Sequence, residues 1–199
     1  MKNVLFSLAL GIATAFTTHA ATAPYVTRSG AGNAAGGAEV IFPADASAQM
    51  RLVSIQWESD TNAAKIAFQT AVGAYSVTQT NPTTTFTTQA VTTTSGLITN
   101  RWLVLQRGSG SAALCFKALL VATNSGTNVV LDTGGWGALS AVGDSIYPLG
   151  ATNTVNTGAT TNWQNGEALF VGNVGRPVRV QLTPALTTNR LTTVTARYE

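Results

Sequence analysis

Side chains that commonly carry out acid–base or nucleophilic chemistry are scarce in this sequence of 199 residues. His19 is the only histidine, Cys115 is the only cysteine, and eight residues are Asp or Glu. His19 lies in a segment that we expect to be removed, so the mature chain lacks the usual general base for a serine or cysteine nucleophile. It also lacks the histidine and cysteine clusters that hold zinc or copper. The inventory predicts a protein that is not an enzyme and has no cofactor or metal site.

The first residues have the three parts of a secretory signal peptide. Lys2 supplies a positive charge, residues 4–16 are apolar, and a site of small residues ends at Ala20. The apolar run has about 13 residues, fewer than the roughly 20 that a membrane-spanning helix needs. We therefore expect residues 1–20 to be cleaved after Ala20. The mature protein is then secreted or on the cell surface, extracellular or periplasmic, with no stable membrane span.

The few charged residues do not indicate a nucleic-acid partner. They make up 10% of the chain, and the formal net charge is +3. A nucleic-acid surface normally brings together many more cations than this. Arginines on strands, such as Arg176 and Arg179, are expected on solvated faces that discourage edge aggregation. Cys115, in an apolar segment, is expected to be a small buried hydrophobe or else to form a disulfide between subunits.

Residues 129–134, Val-Val-Leu-Asp-Thr-Gly, form the segment that most suggests catalysis. Apolar residues before Asp-Thr-Gly resemble the catalytic loop of aspartic proteases. That chemistry needs two aspartates that share a proton, and one copy occurs here, so the resemblance implies a homodimer built around Asp132. The alternative, which we favour, is a strand that ends in an Asp-Thr-Gly-Gly turn, with Asp132 bonding the backbone and a glycine supplying positive φ.

A second group of polar residues follows a predicted strand end. Glu58 and Asp60 are two residues apart, and Asn62 is close by. Such neighbours are typical of a solvated turn, and oxygen ligands of this kind also suit a weak calcium site. The sequence leaves both interpretations open.

The four tryptophans divide into two kinds. Trp57 and Trp102 lie in strand-like segments and are expected in the core. Trp136 and Trp163 lie among turn-forming residues, where an exposed ring can stack on a sugar or on a partner protein. Alternatively, each ring folds back over the end of the domain. The candidate ligand-binding residues are Trp136, Trp163, Asn162, Gln164 and Asn165.

Short segments with alternating or continuous apolar character, separated by Gly and Asn turns, predict an all-β fold. In residues 50–57, for example, Val53, Ile55 and Trp57 share one face, and in residues 178–183 Val178, Val180 and Leu182 do. The pattern favours an antiparallel β-sandwich, jelly-roll-like, with about 10–12 strands. The predicted strands are residues 39–42, 50–57, 63–69, 74–80, 84–94, 101–107, 112–122, 128–131, 145–147, 168–171, 178–183 and 191–198.

Three regions organise the chain. Residues 1–20 are the signal peptide, residues 21–37 form a flexible Gly/Ala-rich arm, and residues 38–199 form a single sandwich domain. Within the domain, the polar residues 150–166 are expected to form a large exposed loop or an edge hairpin.

These features favour a secreted, non-enzymatic subunit of a surface layer, appendage or coat that acts by self-assembly. Its partners are other copies of itself or other surface subunits, and the arm can add a strand to a neighbour. The alternative is a carbohydrate-binding module that uses the loop tryptophans on a glycan. A dimeric aspartic protease around Asp132 is a remote alternative.

Overall fold

A computed structural model describes residues 25–31, 37–61, 64–81, 83–124, 126–183 and 189–199. The expected signal peptide, residues 1–20, lies outside the described residues, as do residues 21–24 and 32–36 of the expected arm. Over the described ranges the protein is built from strands, and no helix there is long and apolar enough to cross a membrane.

The described ranges contain fourteen strands. In chain order they are β1 Tyr25–Ala31, β2 Ala38–Phe42, β3 Met50–Glu58, β4 Lys65–Thr70, β5 Tyr75–Ser76, β6 Thr88–Ala90, β7 Trp102–Arg107, β8 Leu114–Asn124, β9 Asn128–Leu131, β10 Ser145–Pro148, β11 Asn153–Asn156, β12 Thr161–Val171, β13 Val178–Thr183 and β14 Arg190–Tyr198.

Eight of these strands form two four-stranded antiparallel sheets. Sheet I has the order β1-β14-β3-β12, and sheet II has the order β11-β4-β13-β2. The pairing is nested, because β1 pairs with β14, β2 with β13, β3 with β12, and β4 with β11. Two further pairings, β14 with β3 and β13 with β4, complete the sheets. The predicted all-β antiparallel sandwich is confirmed.

The core between sheets I and II follows the alternation of the strands. Val178, Val180 and Leu182 of β13 are fully buried, as predicted. In β3, Ile55 and Trp57 are buried, but Val53 is not in the core. The register between β3 and β14 shifts beside Val53, and such a bulge turns a side chain to the other face.

The six remaining strands, β5 to β10, lie between β4 and β11 in the sequence. They form a third sheet with the order β5-β10-β7-β8-β9-β6. A bridge between Val77 and Val91 connects the segments that follow β5 and β6, so this sheet curls around a core of its own. Strand β7 is central and buried at residues 103–106, in agreement with its apolar residues on both faces.

Polar contacts join the curled sheet to sheet II. Arg179 of β13 is buried, pairs with the Glu39 carboxylate, and donates from Nη1 to Oε1 of Gln69 at 2.6 Å. From β8, Nζ of Lys117 reaches the same Glu39 carboxylate at 2.6 Å and lies 4.1 Å from the ring centroid of Trp102. The prediction of a solvated Arg179 is therefore wrong, because the curled sheet covers that face of sheet II.

Part of the expected flexible arm belongs to sheet I. Residues 25–31 form β1, which pairs with β14 from Tyr25–Arg197 to Ala31–Arg190. Val26 packs against the sandwich core, and Nη2 of Arg28 donates to the carbonyl of Ser111 at 3.1 Å. The prediction of a flexible arm is wrong for these residues, since one apolar side chain and a set of backbone hydrogen bonds hold them in place.

Candidate binding edge on strand β12

Four of the five candidate residues lie on β12, the strand at one edge of sheet I. Asn162, Trp163, Gln164 and Asn165 pair in register with residues 57, 56, 55 and 54 of β3. The polar stretch 150–166, expected as a loop or hairpin, contains β11 and the first half of β12. These strands do not form a hairpin with each other, because β11 pairs with β4 in sheet II and β12 pairs with β3 in sheet I.

Trp163 is the exposed tryptophan of the candidate set, with 45% of its surface accessible. It lies opposite Gln56, on the side of sheet I that faces away from the core. Asn162 and Asn165 are also exposed, and Gln164 is half-buried. This part of β12 therefore presents an indole ring beside several amide groups.

Trp136 does not belong to this surface. It is 4% exposed and packs in the core of the curled sheet, so the prediction that it presents a ring to a ligand is wrong. The turn that carries it lies close to the backbone of Phe86, since a Cβ on Gly135 would approach the Phe86 carbonyl oxygen to 2.6 Å. This close approach turns the indole inward.

The backbone N–H and C=O groups of Trp163 point to the free edge of sheet I. Its N–H donates to Oδ1 of the neighbouring Asn162 at 2.7 Å. On the opposite strand, the Gln56 carbonyl accepts from Oγ1 of Thr192 at 3.1 Å and so points to β14. In an antiparallel ladder, opposed residues that do not bond each other direct their polar groups to opposite sides. Trp163 therefore directs its N–H and C=O away from β3.

The register extends this pattern along the strand. The carbonyl of Thr160 accepts from the backbone N–H of Ser59 at 2.7 Å, toward β3. The direction of the backbone N–H and C=O groups alternates along a strand. Those of residues 160, 162 and 164 therefore point toward β3, and those of residues 161, 163 and 165 point toward the free edge. Pairing with β3 is interrupted after Asn165 and resumes at Phe170. Five consecutive residues, 161–165, thus form the regular part of this edge.

A shallow cavity of about 420 Å³ lies on the same outer face of sheet I, lined by Tyr25, Arg51, Val53, Gly166 and Arg197. Both arginines pair with the carboxylate of Glu199. The two guanidinium groups share this one carboxylate, which compensates one of their two positive charges, and Tyr25, which is 60% exposed, adds a second accessible ring to this face.

Cys115 lies at a second cavity, of about 350 Å³, which Arg28 and Glu39 also line. Burial raises the pKa of its thiol from 9.0 to about 12, against the opposing charge of Arg28. A thiol with so high a pKa is protonated at neutral pH and is a poor nucleophile.

The remaining carboxylates of interest occupy structural positions. A turn is present at Asp132, with the N–H of Gly135 donating to the backbone carbonyl of Asp132 at 2.8 Å, but the expected bonding by the Asp132 side chain is not borne out at Oδ1, which is buried without a hydrogen-bond partner among the described residues. Glu58 pairs with Arg190 at 2.9 Å, and Asn62 lies outside the described residues. Over the described ranges, no three His, Cys, Asp or Glu side chains come together to hold a metal ion.

Comparison of the chain with protein-family models, with curated proteins and with solved structures gives no match. The sequence indicated Trp163 and its amide neighbours but not Gln56 or Tyr25. Gln56 shares the face of Trp163 through the pairing of β3 with β12, and Tyr25 through the pairing of β1 with β14 and of β14 with β3.

Proposed function

We propose that this protein is a non-enzymatic structural subunit that acts by self-assembly at the cell surface or in a secreted coat or appendage. The observation that carries the proposal is the free edge of β12. Over residues 161–165 it is regular and uncharged, and no described strand pairs with it. An exposed strand edge presents unpaired N–H and C=O groups, to which another chain can add a strand.

The topology supports the finer assignment of a jelly roll. The first strand of the sandwich pairs with the last, the second with the second-last, and so inward to β4 and β11. This is the strand order of a long antiparallel hairpin rolled into two sheets, with the curled sheet inserted at its tip. Jelly rolls serve in coat proteins and in lectins, so the fold is compatible with the proposal.

The chemistry of the mature chain supports a role without catalysis. His19 precedes the expected cleavage site, and the half-buried thiol of Cys115 has a raised pKa. The carboxylates of Glu39 and Asp144 are engaged by arginine or lysine side chains. Groups held in this way serve packing and do not present a nucleophile or a general base to a substrate.

Light scattering tests the proposal directly. Residues 21–199 are purified and their mass is measured from nanomolar to near-millimolar concentration. We expect the mass to rise with concentration to a dimer or a larger assembly. A monomer over the whole range would overturn self-assembly. Amino-terminal sequencing of the exported protein tests the location, with Ala21 expected as the first residue.

A second candidate function, glycan binding, is favoured by the exposure of Trp163. Its ring lies on an open sheet face with Gln56 and Asn165, whose amides can bond sugar hydroxyls while the ring stacks on a sugar. Retention on immobilised polysaccharides is the test. Loss of retention in Trp163→Ala would support this function, and unchanged retention would exclude Trp163 as a sugar-binding residue.

A further inference from the structure

We propose that two copies of the chain pair through β12, antiparallel to each other, about a two-fold axis at Trp163. The two copies of sheet I then become one continuous sheet. This inference rests on the proposed function, because it identifies the surface through which self-assembly begins.

The comparison of the sheet edges selects β12. Strand β1 lies against β2 at Gly30, where an added Cβ would approach the Glu39 carbonyl oxygen to 2.1 Å. The edges of the curled sheet are joined through the bridge between Val77 and Val91. Strand β11 has four residues, whereas β12 has eleven, of which 161–165 form its regular free edge. Among the described strands, β12 is thus the long edge that no other element covers.

The chemistry of β12 suits a second copy of itself. Residues 161–165 are Thr-Asn-Trp-Gln-Asn and contain neither a charge nor a proline. Natural edge strands are commonly protected by lysine, proline or an inward-pointing charge, and none of these occurs in this segment. Two copies therefore meet without like charges facing each other, and every outward N–H can find a carbonyl.

The direction of the backbone fixes the register. Residues 161, 163 and 165 direct their polar groups to the free edge, as the contacts of Trp163 and Gln56 indicate. In an antiparallel pair, two such residues that lie opposite each other exchange both of their backbone hydrogen bonds. Centring the axis on Trp163 opposes it to its own copy and opposes residue 161 to residue 165, so all three outward positions are used. A centre between two residues would oppose outward to inward residues and leave their groups unpaired, and a centre on Gln164 would pair residues 163 and 165 but oppose residue 161 to residue 167, beyond the regular part of the edge.

The same register brings the two Trp163 rings together. Residues directly opposite in an antiparallel pair extend their side chains to the same face of the sheet. Both rings lie on the outer face, where each is half exposed in the single chain. Aromatic pairs across strands stabilise such a pairing beyond the hydrogen bonds of the backbone.

A head-to-tail chain of copies, in which β12 of one copy pairs with β1 of the next, is disfavoured. The free edge of β1 lies close to β2 at Gly30, and Arg28 bonds the carbonyls of Ser111 and Ala113 in the curled sheet. Strand β2 and the curled sheet therefore lie against β1 at these residues. The two-fold arrangement uses the open edge of both copies.

Disulfide trapping tests the register. In a Cys115→Ala background, Trp163→Cys places a thiol opposite its own copy, and α-carbons of such a pair are about 5.5 Å apart, within disulfide range. In the matched variant Asn165→Cys, the two thiols lie four residues apart along the strands, roughly 14 Å. We expect oxidation to link most of the Trp163→Cys protein into dimers and little of the Asn165→Cys protein. Equal linking of both variants, or none at position 163, would overturn the register.

A second pair of variants keeps the ring in place. Asn165→Pro removes an N–H that points to the free edge, and Asn165→Ala retains it. We expect the proline variant to remain folded but to assemble at least tenfold more weakly than the alanine variant. If the wild type assembles and the two variants assemble equally, the β12 interface is wrong while self-assembly stands. If the wild type is a monomer throughout, the proposed function itself fails.

Discussion

Gln56 and Trp163 lie opposite each other on β3 and β12, and their backbone groups point in opposite directions. The Gln56 carbonyl bonds the side chain of Thr192 on β14, while the N–H of Trp163 bonds Oδ1 of Asn162 at the edge of the sheet. The side chain of Asn162 therefore occupies a backbone donor that a neighbouring strand would use. It competes with strand addition at the centre of the proposed interface.

Replacing Asn162 by alanine is expected to strengthen self-association. The change frees the N–H of Trp163 in each of the two copies, and a neutral hydrogen bond has a net contribution of about 1 kcal/mol, so the two copies together give about 2 kcal/mol, equivalent to about a thirtyfold lower dimer Kd. Sedimentation equilibrium gives the constant. Asn153→Ala, which removes an exposed amide from β11, is the control and should leave the Kd unchanged. Weaker association of Asn162→Ala would contradict the competition.

Arg179→Met is expected to destabilise the protein far more than Arg190→Met. Arg179 is buried beside Glu39 and Gln69, and removing one partner of a buried ion pair costs about 3–5 kcal/mol. Lys117 also contacts Glu39, which places the expected loss near the lower end of that range. Arg190 pairs with Glu58 at an exposed site, where a pair contributes less than about 1 kcal/mol. Urea unfolding of both variants measures the difference, and similar losses would contradict the role of the buried network.

The sequence predicts those sandwich strands that have one apolar face and one polar face. Val178, Val180 and Leu182 alternate with polar residues, and their burial follows from that alternation. It does not predict that Arg179, on the other face of the same strand, is buried, because the covering layer is the curled sheet and its placement depends on contacts distant in sequence. The two strands β1 and β11 are missed because Gly, Ala, Thr and Asn dominate them and give turn signals.

The candidate site is predicted in part. Trp163 and its amide neighbours are on the surface, but their position on a strand is hidden, since β12 has polar side chains on both faces there and shows no alternation. Trp136 lies in a Gly-Gly-Trp-Gly turn that indicates exposure. The lack of a side chain on Gly135 allows the turn to lie against residues 85–86, and the ring is buried as a result.

The two tryptophans of the candidate set should separate stability from binding. Trp136→Ala removes a ring from the core of the curled sheet and is expected to cost about 3–5 kcal/mol of unfolding free energy. Trp163→Ala removes an exposed ring and is expected to change it by no more than about 0.5 kcal/mol, while weakening self-association or glycan retention. Urea unfolding followed by circular dichroism provides the comparison. A large loss of stability in Trp163→Ala would contradict its placement at a free edge.

Gly30→Ala is expected to detach β1 from its position against β2. The added methyl carbon would lie 2.1 Å from the carbonyl oxygen of Glu39, so one of the two backbones has to move. Gly134→Ala is the matched control, because no atom lies within 4 Å of the added carbon. We expect the first variant to lose at least about 2 kcal/mol of stability and to gain hydrogen exchange in β1, and the second to lose little. Equal stability of both variants would show that β1 does not pack closely on β2.

Cys115→Ala is expected to make the protein less sensitive to alkaline pH. The thiol has a pKa of 9.0 when exposed and about 12 in the folded chain, because burial disfavours the thiolate. Between these values the folded state retains a proton that the unfolded state has lost, so the free energy of unfolding falls as pH rises, by at most about 1.4 kcal/mol per pH unit. Below pH 9 this contribution is constant.

The urea unfolding midpoints of the wild type and of Cys115→Ala are measured from pH 7 to pH 10. Burial also raises the pKa of Tyr198, and the similar loss of stability that follows lies above this pH range. Burial lowers the pKa of Lys117, so the contribution of Lys117 makes the free energy of unfolding rise with pH. This contribution is the same in both proteins and cancels when they are compared. We expect the wild-type midpoint to fall more steeply above pH 9 than that of Cys115→Ala. Parallel curves would show that the thiol ionises as readily in the folded chain as in the unfolded one, and that Cys115 is open to solvent.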